Sequence, residues 1–153
     1  MIERNVGAVA AGHLAAMPAH SPSTEGPIGV VDDDPAVLAS LAFMLKAMGH
    51  AVLAYGDPAA ALADPRLATA RCIILDWKMP EMNGLALLRL LRDRGVTSPA
   101  ILVASVPSKQ CRLEAAGLGA PVVEKPLTGN AIANWIGWLS FQGRALDEEP
   151  DKR

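Results

Sequence analysis

Ile28-Gly29-Val30-Val31-Asp32-Asp33-Asp34-Pro35 carries an apolar run into three acids and then into a helix start. The run Ile28–Val31 reads as a short strand. Asp34 can cap a helix, and Pro35 suits its first position. A strand that ends in acid and passes at once into a helix is the opening of a βα unit. The same pattern returns along the chain. Ala51–Ala54, Cys72–Leu75, Ala100–Val103 and Pro121–Val123 read as four further strands, with helices between them. Cys72–Leu75 and Ala100–Val103 are apolar throughout, as strands covered on both faces are. Strands and helices alternating at this spacing predict right-handed crossovers. They also predict one five-stranded parallel sheet with helices on both faces, an α/β doubly wound fold.

The helices follow from apolar periodicity. The first is expected to run to about Met48 and to bury Val37, Leu41, Leu45 and Met48, with Leu38 and Met44 widening the stripe; Gly49 is a natural stop. Asp57-Pro58 opens a short alanine-rich helix that Asp64-Pro65 ends or kinks. Leu85–Arg94 places Leu87, Leu88 and Leu91 inward and Arg89, Arg92 and Arg94 outward, and Gly95 closes it. Ser108–Ala116 is a weaker helix whose first turn Pro107 obscures. Thr128-Gly129-Asn130 leads into a last helix reaching about Phe141. There Ile132, Trp135, Ile136 and Leu139 share one face, and Trp138 falls at its edge.

The chain's 153 residues suffice for one domain with a real core. Hydrophobic residues at 51% and charged residues at 20% mark a globular composition rather than a disordered one. A net charge of -2 gives no basic footprint for nucleic acid. No apolar run reaches about 18 residues, so no membrane span is expected. Cys72 and Cys111 allow a disulfide, but read first as two reduced thiols of a cytoplasmic protein. Residues 1–26 lack the basic start and Leu/Val-rich stretch of a signal peptide. They read as a flexible extension, or as an early start with Met17 as the alternative. Residues 27–142 form the domain and residues 143–153 a polar tail.

An open parallel sheet builds its site beyond the carboxyl ends of its strands. Five pieces meet there: Val31–Asp34, Leu75-Asp76, Met79–Gly84, Ala104-Ser105 and Glu124-Lys125-Pro126. The crevice thus collects the carboxylates of Asp32, Asp33 and Asp76 and the ammonium of Lys125. Crowded carboxylates resist ionisation and call for a neutralising partner. A hard divalent cation such as Mg²⁺ serves best. Read alone, Asp32–Asp34 is equally a helix N-terminus where the dipole favours acids. Read alone, Lys125 is a solvated lysine at a strand end, although Pro126 holds it extended.

Three blocks together resemble the receiver domain of bacterial two-component response regulators. They are Val31-Asp32-Asp33-Asp34-Pro35, Ile74–Gly84 with Asp76-Trp77-Lys78-Met79-Pro80 inside it, and Glu124-Lys125-Pro126-Leu127. They agree in order and spacing, and the resemblance covers about Pro27–Phe141. It implies a flavodoxin-like sheet of order 2-1-3-4-5. It makes Asp76 the acceptor of a phosphoryl group from a phosphohistidine on a sensor histidine kinase or phosphotransfer protein. It places Mg²⁺ on Asp33, Asp76 and the carbonyl oxygen of Lys78, with Asp32 acting mostly through water, and gives Lys125 the acyl phosphate to bind.

Two positions depart from that pattern. Ala104 stands where the family carries a Thr or Ser whose hydroxyl bonds the phosphoryl group. Ser105 is adjacent, but strand alternation points it elsewhere. Val122 stands where an aromatic normally turns inward. The acceptor chemistry is complete and the usual switch is not.

The function expected is a stand-alone response regulator acting through an unknown downstream protein or a phosphorelay. The chain ends too soon after Phe141 for an output domain, and neither nucleic acid nor membrane is an expected partner. Trp138 on the last helix is a candidate homodimer contact. The alternative is a pseudo-receiver, a binding module independent of phosphorylation. A phosphohydrolase with an aspartyl nucleophile shares the chemistry but lacks a second acid where Lys78 stands.

Overall fold

The computed structural model describes residues 26–147, with 140–147 given by backbone alone. Five parallel strands form one sheet in the order β2-β1-β3-β4-β5. They are β1 (Ile28–Val31), β2 (Val52–Tyr55), β3 (Cys72–Asp76), β4 (Ala100–Ala104) and β5 (Val122–Glu124). The helices are α1 (Pro35–Ala47), α2 (Pro58–Ala63), α3 (Gly84–Asp93), α4 (Lys109–Ala116) and α5 (Gly129–Asp147). A 3-10 helix, Pro65–Thr69, links α2 to β3. This is the expected doubly wound sheet.

Each α-helix begins on a side chain able to hold its first free amides. Asp34 accepts from the amides of Ala36 at 2.9 Å and Val37 at 3.4 Å. Asp57 accepts from Ala60 N–H at 2.8 Å and Asn83 from Ala86 N–H at 2.8 Å. Ser108 accepts from Cys111 N–H at 3.0 Å, which settles the start that Pro107 obscured. Thr128 accepts from Ala131 N–H at 3.2 Å. Gly49 and Gly95 follow α1 and α3 at φ 96° and 88°, the left-handed backbone that closes a helix.

Strand alternation splits the core in two. Ile28, Val30, Cys72, Ile74, Ile101 and Val103 face α1 and α5, meeting Leu41, Leu45, Ile132, Ile136 and Leu139. Ile73, Leu75 and Leu102 face the other side, with Leu67, Leu85, Leu88 and Ala115. Cys72 and Cys111 are free thiols, both buried.

Several boundaries and faces differ from the sequence reading. β2 is shifted by one residue because pairing sets it: Ile28 sits beside Val52 and Val31 beside Tyr55. β5 is shifted in the same way, with Leu102 beside Val122. β3 includes Asp76 and β4 includes Ala104. Asp64-Pro65 does not merely end α2; Asp64 caps the 3-10 helix through Arg66 N–H. Val37 and Met48 are exposed, and α1 buries Leu41 and Leu45 instead. Arg92 turns back, half-buried, and donates to the carbonyls of Val96 and Ser98 at 2.9 and 2.8 Å. Trp135 is half-buried and meets Trp138 edge-on, with centroids 5.5 Å apart. Helix α5 runs past Phe141 to Asp147, so residues 143–147 of the expected tail are helical. Residues 1–25, the Phe141 side chain and residues 148–153 lie outside what the structure describes, and with them most of the expected extension and the end of the tail.

Candidate functional site

Alternation that buries Val30, Ile74 and Val123 on the α1/α5 side sends Asp32, Asp76 and Lys125 to that side as well. All three reach the carboxyl edge of the sheet. Asp76 closes β3 and is 5% exposed; Asp32 follows β1 and is 4% exposed. Asp33 is exposed beside them. One carboxylate oxygen from each of Asp32, Asp33 and Asp76 lies within 4.8 Å of the others. Lys125 Nζ stands 2.9 Å from Asp76 Oδ1 and 4.0 Å from Asp32 Oδ2. Asp34 N–H donates to Asp32 Oδ1 at 2.9 Å and fixes that carboxylate.

Backbone bonds hold the loops around these groups. Trp77 N–H donates to the Val103 carbonyl at 2.8 Å, and Gly84 N–H donates to the Trp77 carbonyl at 2.8 Å. Lys125 N–H donates to the Ala104 carbonyl at 2.8 Å, and the Lys125–Pro126 peptide is cis. A cavity of about 450 Å³ opens above, lined by Asp34 and the three clustered aspartates with Trp77, Lys78, Ala104, Ser105, Val106 and Lys125.

Burial pushes the Asp76 carboxyl above its ordinary range, and the neighbouring aspartates add to this against the opposing bond from Lys125. Burial likewise raises Asp32, outweighing the Asp34 amide and the charge of Lys125. For Lys125, burial works downward, but the bond to Asp76 and three carboxylate charges hold it above its ordinary value. The site carries more negative charge than its single lysine balances. An all-oxygen donor set with excess negative charge fits a hard divalent cation such as Mg²⁺.

The sequence profile described as "Response regulator receiver domain" matches residues 28–136. The chain belongs to that family. The receiver is 40% identical over 127 residues to the transcriptional regulatory protein FixJ of Azorhizobium caulinodans, covering 79% of this chain and 60% of the relative. It thus spans less than two thirds of that relative's length. A solved FixJ N-terminal domain superposes with TM-score 0.67 at 33% identity, covering 76% of this receiver and 94% of that chain. A CheY-like receiver from Methanospirillum hungatei shares the fold, with TM-score 0.70 at 23% identity, covering 78% and 96%. Among the described residues no helix is long and apolar enough to cross a membrane.

The structure brings Asp32, Asp33, Asp76 and Lys125 together and puts Lys78 and Ala104 on the wall of the same cavity. Ala104 is 5% exposed and offers only a methyl group. Ser105, directly after the last residue of β4, is exposed and also lines the cavity. Val122 is half-buried behind β4, packed on the α2/α3/α4 side. The sequence reading missed a second cavity of about 360 Å³ between α1 and the loop after β5. Its signal lies in Ala36 and Ser40, small residues at i, i+4 on α1, both of which line it.

Proposed function

We propose that this receiver accepts a phosphoryl group on Asp76 from the phosphohistidine of a sensor kinase or phosphotransfer protein. The observation that carries this is the Asp76 carboxylate, buried at a strand end, bonded by Lys125, with two further aspartates in reach. One oxygen of Asp76 attacks phosphorus as the P–N bond to the donor histidine breaks; the donor ring, protonated on its other nitrogen, keeps the bonding pair and leaves as neutral imidazole. Lys125, already seated on Asp76, is placed to bond a phosphoryl oxygen. Asp33, Asp76 and the Lys78 carbonyl would hold Mg²⁺, with Asp32 acting through water, and the ion would offset charge on the transferring group. Lys78 lines the same cavity, which supports this ligand set.

Ala104 supplies no hydroxyl to the phosphoryl group and Val122 no aromatic to swing inward. A hydrogen bond to a charged group contributes about 1.5–3 kcal/mol. Without it, coupling between phosphorylation and an active conformation weakens by roughly tenfold or more. Output then runs through contact with a downstream protein or onward transfer, with neither nucleic acid nor membrane as partner and with Trp138 as a candidate self-contact. Ala104 also favours a second reading, a binding module that is not usefully phosphorylated.

The test is intact mass after incubation with Mg²⁺ and a small acyl phosphate, beside Asp76→Asn. A phosphate-sized gain confined to the wild type supports the acceptor. No gain, from the small donor or from a phosphorylated kinase, leaves the binding module.

A further inference from the structure

Helix α1 lacks the polar outer face that a surface helix carries. Lys46 is its only charged residue and Ser40 its only other polar side chain. One side of it buries Leu41 and Leu45 against the sheet. On the other side Ala36, Ser40, Phe43 and Ala47 follow at i, i+4, i+7 and i+11, and all four are exposed, Phe43 at 73%. Val37 and Met48 are exposed beside them. Toward Leu127 the surface dips into the apolar cavity of about 360 Å³, where Val37 and Met44 form part of the wall. A helix apolar on every side is ordinarily buried, so α1 calls for a cover.

The chain carries a segment that suits it. Within residues 1–25, Ile2, Val6, Val9 and Met17 recur at helical spacing and share one stripe, with Ala8 and Ala11 on the opposite side. That segment joins the fold at the edge where α1 ends. Ile28 N–H donates to the carbonyl of Ala51 at 2.9 Å, only three positions beyond Met48. The eight residues 18–25 can span up to about 26 Å. The 13 residues of α1 are about 20 Å long, so the whole stripe lies within reach. A segment tethered this closely meets α1 at an effective concentration of about millimolar, so a modest apolar contact suffices. We propose that residues 2–17 dock on α1 as an amphipathic helix, their Ile2, Val6, Val9 and Met17 stripe covering Phe43 and the groove between α1 and Leu127.

The test places a photoreactive benzophenone amino acid at position 43 of the full 153-residue chain and irradiates it at a series of dilutions. Phe43 is exposed, so the exchange leaves the core intact. The expected product keeps the monomer mass and, after proteolysis, joins the α1 peptide to one from residues 1–17, in a yield that dilution does not change. Val6→Asp with Val9→Asp sets two carboxylates against an apolar surface and should cut that yield about tenfold. Ala8→Asp with Ala11→Asp, on the far side of the stripe, should leave it within about twofold. A cross-linked dimer whose yield falls on dilution would make a second copy the occupant and overturn the proposal. A product joined to any other segment, or no protein adduct at all, would overturn it too. Equal yields in the two double variants would overturn the helical stripe. Photolysis needs neither Mg²⁺ nor phosphate, so the outcome is independent of the phosphoacceptor reading.

Discussion

Asp32 shows what a functional residue costs the fold. It is buried, one of its oxygens lacks a close donor, and its folded-state pKa lies above the ordinary 3.8 because burial disfavours the charge. A carboxyl raised in the folded state binds its proton more tightly there than in the unfolded chain. It therefore contributes stability at low pH that is lost as pH climbs from about 3.8 through the higher folded value. At neutral pH without metal, the ionised group works against folding. Asp32→Asn keeps the shape and removes the charge, so the metal-free variant should melt about 3–6 °C higher at pH 7, corresponding to about 1 kcal/mol. The gain should shrink as pH falls through the raised folded value, because protonation removes the charge from the wild-type group. Equal melting at pH 7 in scanning calorimetry would show that Lys125 already compensates the charge. The convergence of these residues was legible in the sequence, because acids that follow apolar strands meet at the carboxyl edge of a parallel sheet. The end of β4 at Ala104 was not, because a strand's last residue is set by pairing, here with β3 and β5.

At the scale of elements, caps and breakers were legible because they act locally. Asp34-Pro35, Asp57-Pro58, Gly49 and Gly95 mark helix ends through bonds and φ values within a few residues. What depended on distant partners was not legible: the register of β2 and β5, the inward turn of Arg92, and the exposure of Val37 and Met48. Helix α3 holds one more such case. Gly84 is its first residue, and helix propensity alone favours alanine there by up to about 1 kcal/mol. A Cβ at Gly84 would run into the Asp76 carbonyl oxygen and come within 2.8 Å of Leu102 Cδ2. The leucine tip can move, but the carbonyl belongs to β3 and cannot move without displacing Asp76. Overpacking costs about 1–3 kcal/mol, so contact outweighs propensity. Gly84→Ala should therefore lower the urea midpoint and slow phosphorylation of Asp76 in the same variant. A rise in the midpoint would mean that the approach of α3 to β3 is looser than the structure shows.

For the whole molecule, the doubly wound order carries strand ends from distant parts of the sequence to one edge, so folding itself concentrates the negative charge. β1 lies between β2 and β3, and β3 between β1 and β4, which seats Asp32 and Asp76 on neighbouring strands with Lys125 arriving after β5. Folding adds Asp76 to the adjacent Asp32 and Asp33, and an unfolded chain keeps that third carboxylate far from the other two. A divalent cation held by the cluster therefore binds the native state far better than the unfolded one, and stabilises it by mass action. With Mg²⁺ at ten times its Kd the gain is about 1.4 kcal/mol, and it should appear as a shift in the denaturant midpoint. The shift should be absent in Asp33→Asn and Asp76→Asn, which remove proposed ligands but leave the core untouched. It should also fade as pH falls, because protons compete for carboxylates whose affinity for them burial has already raised. An equal Mg²⁺ shift in wild type and both variants would place the ion elsewhere on an acidic surface. No shift at neutral pH would leave the acidic edge without a metal function and favour the binding module over the phosphoacceptor.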